Sequence, residues 1–362
     1  MPFGEILRLL FAVICWALAI TILVVTILPL SNTNAWWVRA MDFPRVQIAI
    51  VGGAVLVAAL CLQGPSRIVV PVLMIVACGY QLWRVFPYTP LAPVEMELAA
   101  HGPDAVKILS ANVLMENDQH GALLEVIEQV DPDVLLLMET DQTWLDAVEP
   151  ALKRYSTVIR EPKDNHYGMI FATRLPVDEA RIVYLTSDDT PSTFAQLTAP
   201  NGVTFRFVGL HPQPPVPGVD TEERDAQIFY AANFARKTGI PLVVTGDFND
   251  VAWSDTSKTF KHVGQYLDPR IGRGFFSSFD ADRFYMRFPI DQFYVTEDVA
   301  VVSITRRTYI GSDHFPMAAT LRFDAGLAAS LNVSPESISS AKQGLIDTSI
   351  AETREALGHT EF

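Results

Sequence analysis

The chain has 362 residues, 49% of them hydrophobic, and a formal net charge of −14. Residues 1–100 carry five basic and four acidic residues, so a net −15 lies in residues 101–362. An apolar N-terminal module joined to an acidic water-soluble one excludes a fully cytosolic enzyme, a disordered chain and a disulfide scaffold; the acidic part also opposes tight non-specific DNA binding, which needs Lys and Arg to neutralise phosphates.

Residues 1–86 read as a membrane module with three transmembrane helices. Residues 9–30 are 22 positions without a charge, about the length that crosses a bilayer core of roughly 30 Å. Residues 46–62 and 68–83 are shorter, and span if Arg45, Arg67 and Arg84 reach outward to the headgroups. The turn at Gln63-Gly64-Pro65-Ser66 makes them a hairpin, and Trp36, Trp37, Trp83 and Tyr88 stand at span ends, where amphipathic rings prefer the interface. The first apolar run is too long for a cleaved signal peptide, and no small-residue cleavage site follows it. The expected partner is a lipid bilayer, met through residues 9–83 of a multi-pass protein of the inner or plasma membrane. The spans contain no charge to mark an ion path, which opposes a transporter. Counting Lys and Arg on each side slightly favours a cytoplasmic soluble module. Cys15, Cys61 and Cys78 all lie in the membrane module, and their absence elsewhere suits an oxidising compartment.

Pro87, Pro90 and Pro93 make residues 87–104 a stiff, extended linker. A domain over 105–323 follows. Residues 106–111 read as a strand, and Leu123, Leu124, Ile127 and Val130 have helical spacing that Asp131-Pro132 ends. Further strands are expected at 134–138, 168–172, 181–185, 194–198, 205–210, 242–245, 291–296, 301–305 and 317–323. A helix is expected over 221–238, stopped by Gly239 and Pro241. Many strands with interspersed helices predict a layered α/β sandwich of mixed sheets. Residues 324–362 are expected to be a disordered or loosely helical tail without chemistry.

The polar residues of interest sit at strand ends. Asn112, Glu139, His211 and the pair Asp247 and Asn249 each follow a strand; Asp291 opens one and Asp313-His314 precedes the last. Strand ends on one rim of a sandwich point into one crevice. Glu139, Asp313 and the Asn112 amide oxygen are hard ligands suited to Mg²⁺, which takes one or two carboxylates and leaves positions for phosphate oxygens. Asp247 can accept a proton from water, and Asn249 can donate to a phosphoryl oxygen. His211 and His314 can donate to phosphate when protonated, and Asp291 can hold the His314 tautomer and raise its pKa.

The ordered series Ser110-Ala111-Asn112-Val113, Met138-Glu139-Thr140, 168–176, Gly209-Leu210-His211, Thr245-Gly246-Asp247-Phe248-Asn249-Asp250, Pro289-Ile290-Asp291-Gln292 and Gly311-Ser312-Asp313-His314-Phe315-Pro316 resembles the endonuclease/exonuclease/phosphatase (DNase I-like) superfamily, of the membrane-anchored bacterial type. The resemblance covers residues 105–323. It implies a four-layer α/β sandwich of two mixed β-sheets flanked by helices, and a metal-dependent phosphodiesterase or nuclease. It implies Glu139 as the principal ligand of Mg²⁺ (Mn²⁺ as the alternative ion), with Asn112 and, at a second position, Asp313. It implies Asp247 activating water, Asn249 contacting phosphate, and His211 with the Asp291–His314 pair as phosphate-stabilising or acid groups; which residue is the general base stays open. Gln292 stands where many relatives carry histidine, which touches substrate contacts at most. Similar bacterial relatives imply an extracytoplasmic domain, against the charge count.

The substrate is expected to be a phosphoester of nucleic acid or of a lipid headgroup, with no obligate protein partner. Residues 270–288 interleave four arginines with six aromatics, a composition able to grip nucleic acid, to lie against headgroups, or simply to pack on the core beside Asp291. The alternative is a catalytically inactive, membrane-anchored interaction protein on the same fold; an inactive protein has no chemical need for all eight site residues.

Overall fold

A computed structural model of the chain describes residues 3–351 apart from 188, 237, 238, 337, 338, 342, 345, 349 and 350. Apolar helices come first: α1 (Phe3–Ile27), the short α2 (Trp36–Arg39), α3 (Arg45–Ala59) and α4 (Ser66–Val85). Two stretches are long and apolar enough to cross a membrane, Phe3–Leu30 and Ser66–Tyr88; α2 and α3 are bent by 72° and make a third if taken as one span. The outward reach expected of Arg45 and Arg84 does not occur. Arg45 is buried, ion-paired to Asp42 and donating to Gln81 Oε1 (2.9 Å), whose amide reaches Thr26 Oγ1 on α1 (3.0 Å). Arg84 points at the soluble domain, donating to the Trp253 carbonyl (2.7 Å) and pairing with Asp255 (2.9 Å). Trp253 Nε1 returns a bond to the Asp42 carbonyl (2.8 Å), and Tyr88 Oη donates to the Ala252 carbonyl (2.8 Å). A charge is stable away from water only when partnered; Arg45 finds its partners within the N-terminal helices, and Arg84 finds its own across the junction with the soluble domain.

The soluble domain continues with β1 (Val106–Asn112), α5 (His120–Val130), β2 (Val134–Met138), α6 (Gln142–Leu152), β3 (Thr157–Glu161), β4 (Met169–Thr173), β5 (Val177–Tyr184), β6 (Pro191–Thr198), β7 (Thr204–Leu210), α7 (Glu222–Arg236), β8 (Leu242–Asp247), α8 (Asp255–Val263), β9 (Asp291–Val295), β10 (Ala300–Arg306), β11 (Met317–Arg322) and α9 (Ala325–Leu331). The end of the helix expected over 221–238 falls on residues 237 and 238, outside the described residues.

The strands form two mixed sheets, β10-β11-β1-β2-β4-β3 and β5-β6-β7-β8-β9. Alternation along each strand splits its side chains between two apolar layers. Ile108, Leu136, Phe171, Phe207 and Val243 meet between the sheets. Leu109, Leu135 and Leu137 face outward onto Leu123 and Trp144 of α5 and α6; Val208, Leu210 and Val244 face Ile228 and Phe260 of α7 and α8. The result is four layers, helix, sheet, sheet, helix, and central strands buried on both faces read as continuous apolar runs for that reason. Phe207 is fully buried, its ring 5.4 Å from Phe171. Phe207→Ala should cost about 3–5 kcal/mol, read as a lowered denaturation midpoint in urea.

Residues 87–104 lie along the domain: Met96 is buried in the core between the sheets, and Ala99 N–H donates to the Val301 carbonyl (2.8 Å). The tail expected to be disordered or loosely helical begins with an ordered helix. Asp324 caps α9 by accepting from Leu327 N–H (2.9 Å), Ala328 packs against Ala99 and Ala300, and Asn332 Nδ2 donates to the Glu297 and Val299 carbonyls (2.8 and 3.0 Å).

Candidate active site

Strand direction brings the site together. β1 and β2 are parallel, with Asn112 level with Met138, so Asn112 and Glu139 end neighbouring strands on one rim. β7 and β8 are also parallel and carry His211 and Asp247 to the same rim. β9 runs antiparallel to β8 and pairs Asp291 with Asp247. β11 runs antiparallel to β1, pairing Met317 with Ser110, so Asp313 and His314 fall beyond the end of β1. Gly246 has φ +140°, and a Cβ there would stand 2.0 Å from the Leu210 carbonyl oxygen; only glycine lets β8 approach β7 this closely before Asp247. Glu139 and Asn249 both adopt positive φ, 61° and 49°, a conformation few side chains accept.

The contacts are short. Asn112 Nδ2 donates to Glu139 Oε1 (2.7 Å) and Asp247 Oδ2 (3.1 Å). His211 Nε2 lies 3.8 Å from each of these carboxylate oxygens. Ligand atoms of Glu139, His211 and Asp247 all fall within 4.8 Å of one another, close enough to hold a metal ion. On the other side of Asp247, His314 Nε2 approaches Oδ2 at 3.5 Å while Nδ1 bonds Asp291 Oδ2 at 2.7 Å. Asp313 Oδ1 is 3.9 Å from His314 Nε2. Asp247 Oδ1 accepts from Asn249 N–H (2.8 Å), and the Asn249 amide donates to the Pro212 carbonyl (2.9 Å).

Electrostatics follow from this packing. Burial pushes the Asp247 carboxyl above its ordinary value against the pull of His314. Burial also raises Asp313, with Glu139 and Asp247 adding to the shift, to about 6. Burial acts to lower His314, but the carboxylates of Asp291 and Asp247 prevail and raise it to about 10. At neutral pH His314 is an imidazolium directed at Asp247.

All eight expected residues meet at this rim. The Asn112 amide oxygen, expected to face a cation, accepts from Leu114 N–H (3.1 Å), and the amide nitrogen bridges Glu139 and Asp247; an amide set between two carboxylates is most stable with its donors toward them. His211, expected at phosphate, stands in the Glu139–Asp247 cluster, whereas Asp313 lies outside it. Gln292 turns to the opposite face of β9, where Nε2 donates to the Asp250 carbonyl and Ser257 Oγ (both 2.8 Å); strand alternation separates it from Asp291, so it does not touch the site.

The structure adds residues that sequence reading passed over. His166 bridges Glu139 Oε2 and Glu116 Oε1, each at 3.2 Å. Tyr167 lies 5.5 Å, ring to ring, from His211, and burial raises its hydroxyl to about 12. Ser312 Oγ donates to the Asn112 carbonyl (2.9 Å) and accepts from His314 N–H (3.0 Å), locking the β11 turn to β1. Phe279 covers the His314 ring at 4.9 Å. The available signal was position: His166-Tyr167 immediately precede the 168–176 motif.

A family model described as the Endonuclease/Exonuclease/phosphatase family matches residues 109–314, more than half of the chain. The chain belongs to the endonuclease/exonuclease/phosphatase family. No curated protein matches the sequence. Solved structures similar to it include D. rerio TDP2 complexed with single strand DNA product (14% identity, 60% of this chain, 99% of that chain, TM-score 0.50). Family proteins from Bacteroides vulgatus (19%, 61% and 99%, 0.50) and Bacteroides thetaiotaomicron (20%, 63% and 98%, 0.50) are also similar. These likenesses bear out the four-layer fold; the two mixed sheets and flanking helices are those of the family.

The donor set fits a hard divalent cation. Glu139, Asp247 and Asp313 offer carboxylate oxygens, and the buried atoms Asp313 Oδ1 and His211 Nδ1 have no hydrogen-bond partner among the described residues. Buried polar atoms left without partners need an ion or an ordered water to satisfy them.

Proposed function

We propose that this protein is a membrane-anchored phosphodiesterase dependent on Mg²⁺ or Mn²⁺. The observation that carries the reading is Asp247, a buried carboxylate with His314 Nε2 on one side and the Asn112–Glu139–His211 group on the other. Glu139 is the ligand we assign first, with His211 beside it in the same cluster, Asp313 at a second position and Asn112 orienting the carboxylates. A bound ion supplies Lewis-acid stabilisation of charge on phosphoryl oxygens.

The remaining chemistry belongs to side chains. Asp247 Oδ2 accepts the proton of the attacking water; its raised pKa makes it a better base than an ordinary aspartate. The His314 imidazolium donates through Nε2 to a phosphoryl or leaving oxygen, held in that charge state and orientation by Asp291 at Nδ1. The second amide hydrogen of Asn249 contacts a phosphoryl oxygen. Helices α1, α3 and α4 embed the chain in a bilayer.

The test is hydrolysis by the full chain in detergent, using bis(p-nitrophenyl) phosphate, plasmid DNA, sphingomyelin and phosphoinositides. EDTA should remove at least about 10²-fold of the rate, since a bound ion contributes several kcal/mol, and excess Mg²⁺ or Mn²⁺ should restore it. Activity that survives EDTA would refute the metal assignment.

A further inference from the structure

A groove of about 1060 Å³ runs between α3 and the segment 273–287. Val46, Ile50 and Val51 of α3 form one wall; Phe276, Phe284 and Tyr285 form the other. Gln47 Nε2 ties the walls together at the Tyr285 carbonyl (2.9 Å). Large apolar side chains at its mouth are open: Ile50 is 67% and Phe284 81% exposed. Contiguous apolar surface of this kind marks a place where something binds.

Arg287 and Arg306 also line the groove. Their guanidinium carbons lie 5.0 and 4.3 Å from the centre of one ring, Phe315. Both donate to backbone carbonyls, Arg287 to Ala281 (2.9 Å) and Arg306 to Ser277 (2.6 Å). Arg287 Nε is buried without a partner, and among the described residues the two guanidiniums meet backbone carbonyls and the Phe315 ring. Burial lowers the Arg306 pKa, and the charge of Arg287 lowers it further. Two cations held against one ring form a positive pair that an anion would offset. Arginine is the side chain best shaped to take phosphate through parallel N–H bonds.

The groove therefore offers cationic donors beside an apolar wall that belongs to a helix of the membrane module. A nucleotide would suit the arginines and the aromatic rings, but would leave the aliphatic face of α3 uncovered. We propose that the groove binds one anionic phospholipid from the bilayer, its phosphate held by Arg287 and Arg306 and its acyl chains along Val46, Ile50 and Val51. This rests on the reading of α3 as bilayer-embedded. The same segment reaches the catalytic rim: Ala281 N–H donates to the Asp313 carbonyl (2.7 Å), and Phe279 covers His314. A lipid seated there would lie against the chain that shapes the site.

Native mass spectrometry of the full chain, delipidated in detergent and given phosphatidylglycerol or phosphatidylcholine at equal concentration, tests this. The expected result is one phosphatidylglycerol retained per chain, and at least about tenfold weaker retention of phosphatidylcholine, the effect of ~1.4 kcal/mol. The double variant R287Q/R306Q should retain phosphatidylglycerol at the phosphatidylcholine level. Ile50→Trp, which fills the groove from an exposed face of α3, should weaken both lipids and keeps the test decisive if the double variant does not fold. Equal retention of the two lipids by the wild type, or undiminished phosphatidylglycerol on either variant, would overturn the proposal. So would a single-stranded oligonucleotide that binds the wild type while phosphatidylglycerol does not. Hydrolysis of bis(p-nitrophenyl) phosphate by the wild type is read in parallel; its absence counts against the phosphodiesterase reading and leaves the lipid measurement standing.

Discussion

Asp247→Asn should lower the rate of phosphodiester hydrolysis by about 10²–10⁴, the usual worth of a positioned acid or base, and leave the fold intact. The substitution keeps the shape of the side chain and the acceptor that Asn249 N–H uses at 2.8 Å. What it removes is the charge. The fold holds that charge at a cost, because burial raises the Asp247 carboxyl above its ordinary value even with His314 beside it. The cost of a charge taken out of water disappears in the variant, while the Asn112 amide at 3.1 Å loses an anionic acceptor. These effects oppose each other, so the melting temperature should move by less than about 4 °C, the shift that about 1 kcal/mol produces in a domain of this size. Near-normal turnover would mean that Asp247 is not the base. Lost turnover with a collapsed melting temperature would mean that Asp247 serves the structure.

The same balance explains which parts of the molecule the sequence disclosed. The central strands are apolar at consecutive positions, because both faces of each sheet are covered, and such runs are visible without coordinates. The strand-end polar residues were visible with them, since each stands at a fixed offset from a run. Strand β3 was not visible: it lies at a sheet edge, Thr157–Glu161 is only half buried, and its pattern is that of a loop. Helix α8 is short, and its start depends on Ser254 accepting from Ser257 N–H, a local bond that a serine in any turn can make. The docking of the N-terminal helices on the domain was hidden for a different reason. Arg45 and Arg84 look like span ends when read along the chain; Arg45 turns instead to Gln81, 36 positions away, and Arg84 to Trp253, 169 positions away. Within the site, the residue types and their places at strand ends were legible, but their hydrogen-bond partners were not. The bridge of the Asn112 amide between Glu139 and Asp247 depends on the distance between two carboxylates on different strands, which the sequence does not give.

Asp291→Asn should reveal His314 as the proton donor through pH dependence. In the wild type the imidazole is buried, which alone would lower its pKa, yet Asp291 at 2.7 Å and Asp247 at 3.5 Å raise it to about 10. A pKa raised on folding means that the native state binds the proton more tightly than the unfolded chain. The stability this contributes is complete below the unfolded value near 6.5 and is lost as pH rises through about 10. With asparagine the first carboxylate is gone and burial remains, so His314 titrates at lower pH. The decline of melting temperature between pH 6.5 and 10 should flatten in the variant. The alkaline limb of kcat/KM should move to lower pH, with a loss of about 10²–10⁴ at pH 7.5 that is partly recovered on acidification, as the imidazole regains its proton. A residue that merely shapes the loop would depress the rate equally at every pH. A uniform loss of that kind, or an alkaline limb that does not move, would remove His314 from the acid role and leave Asp291 as a packing group.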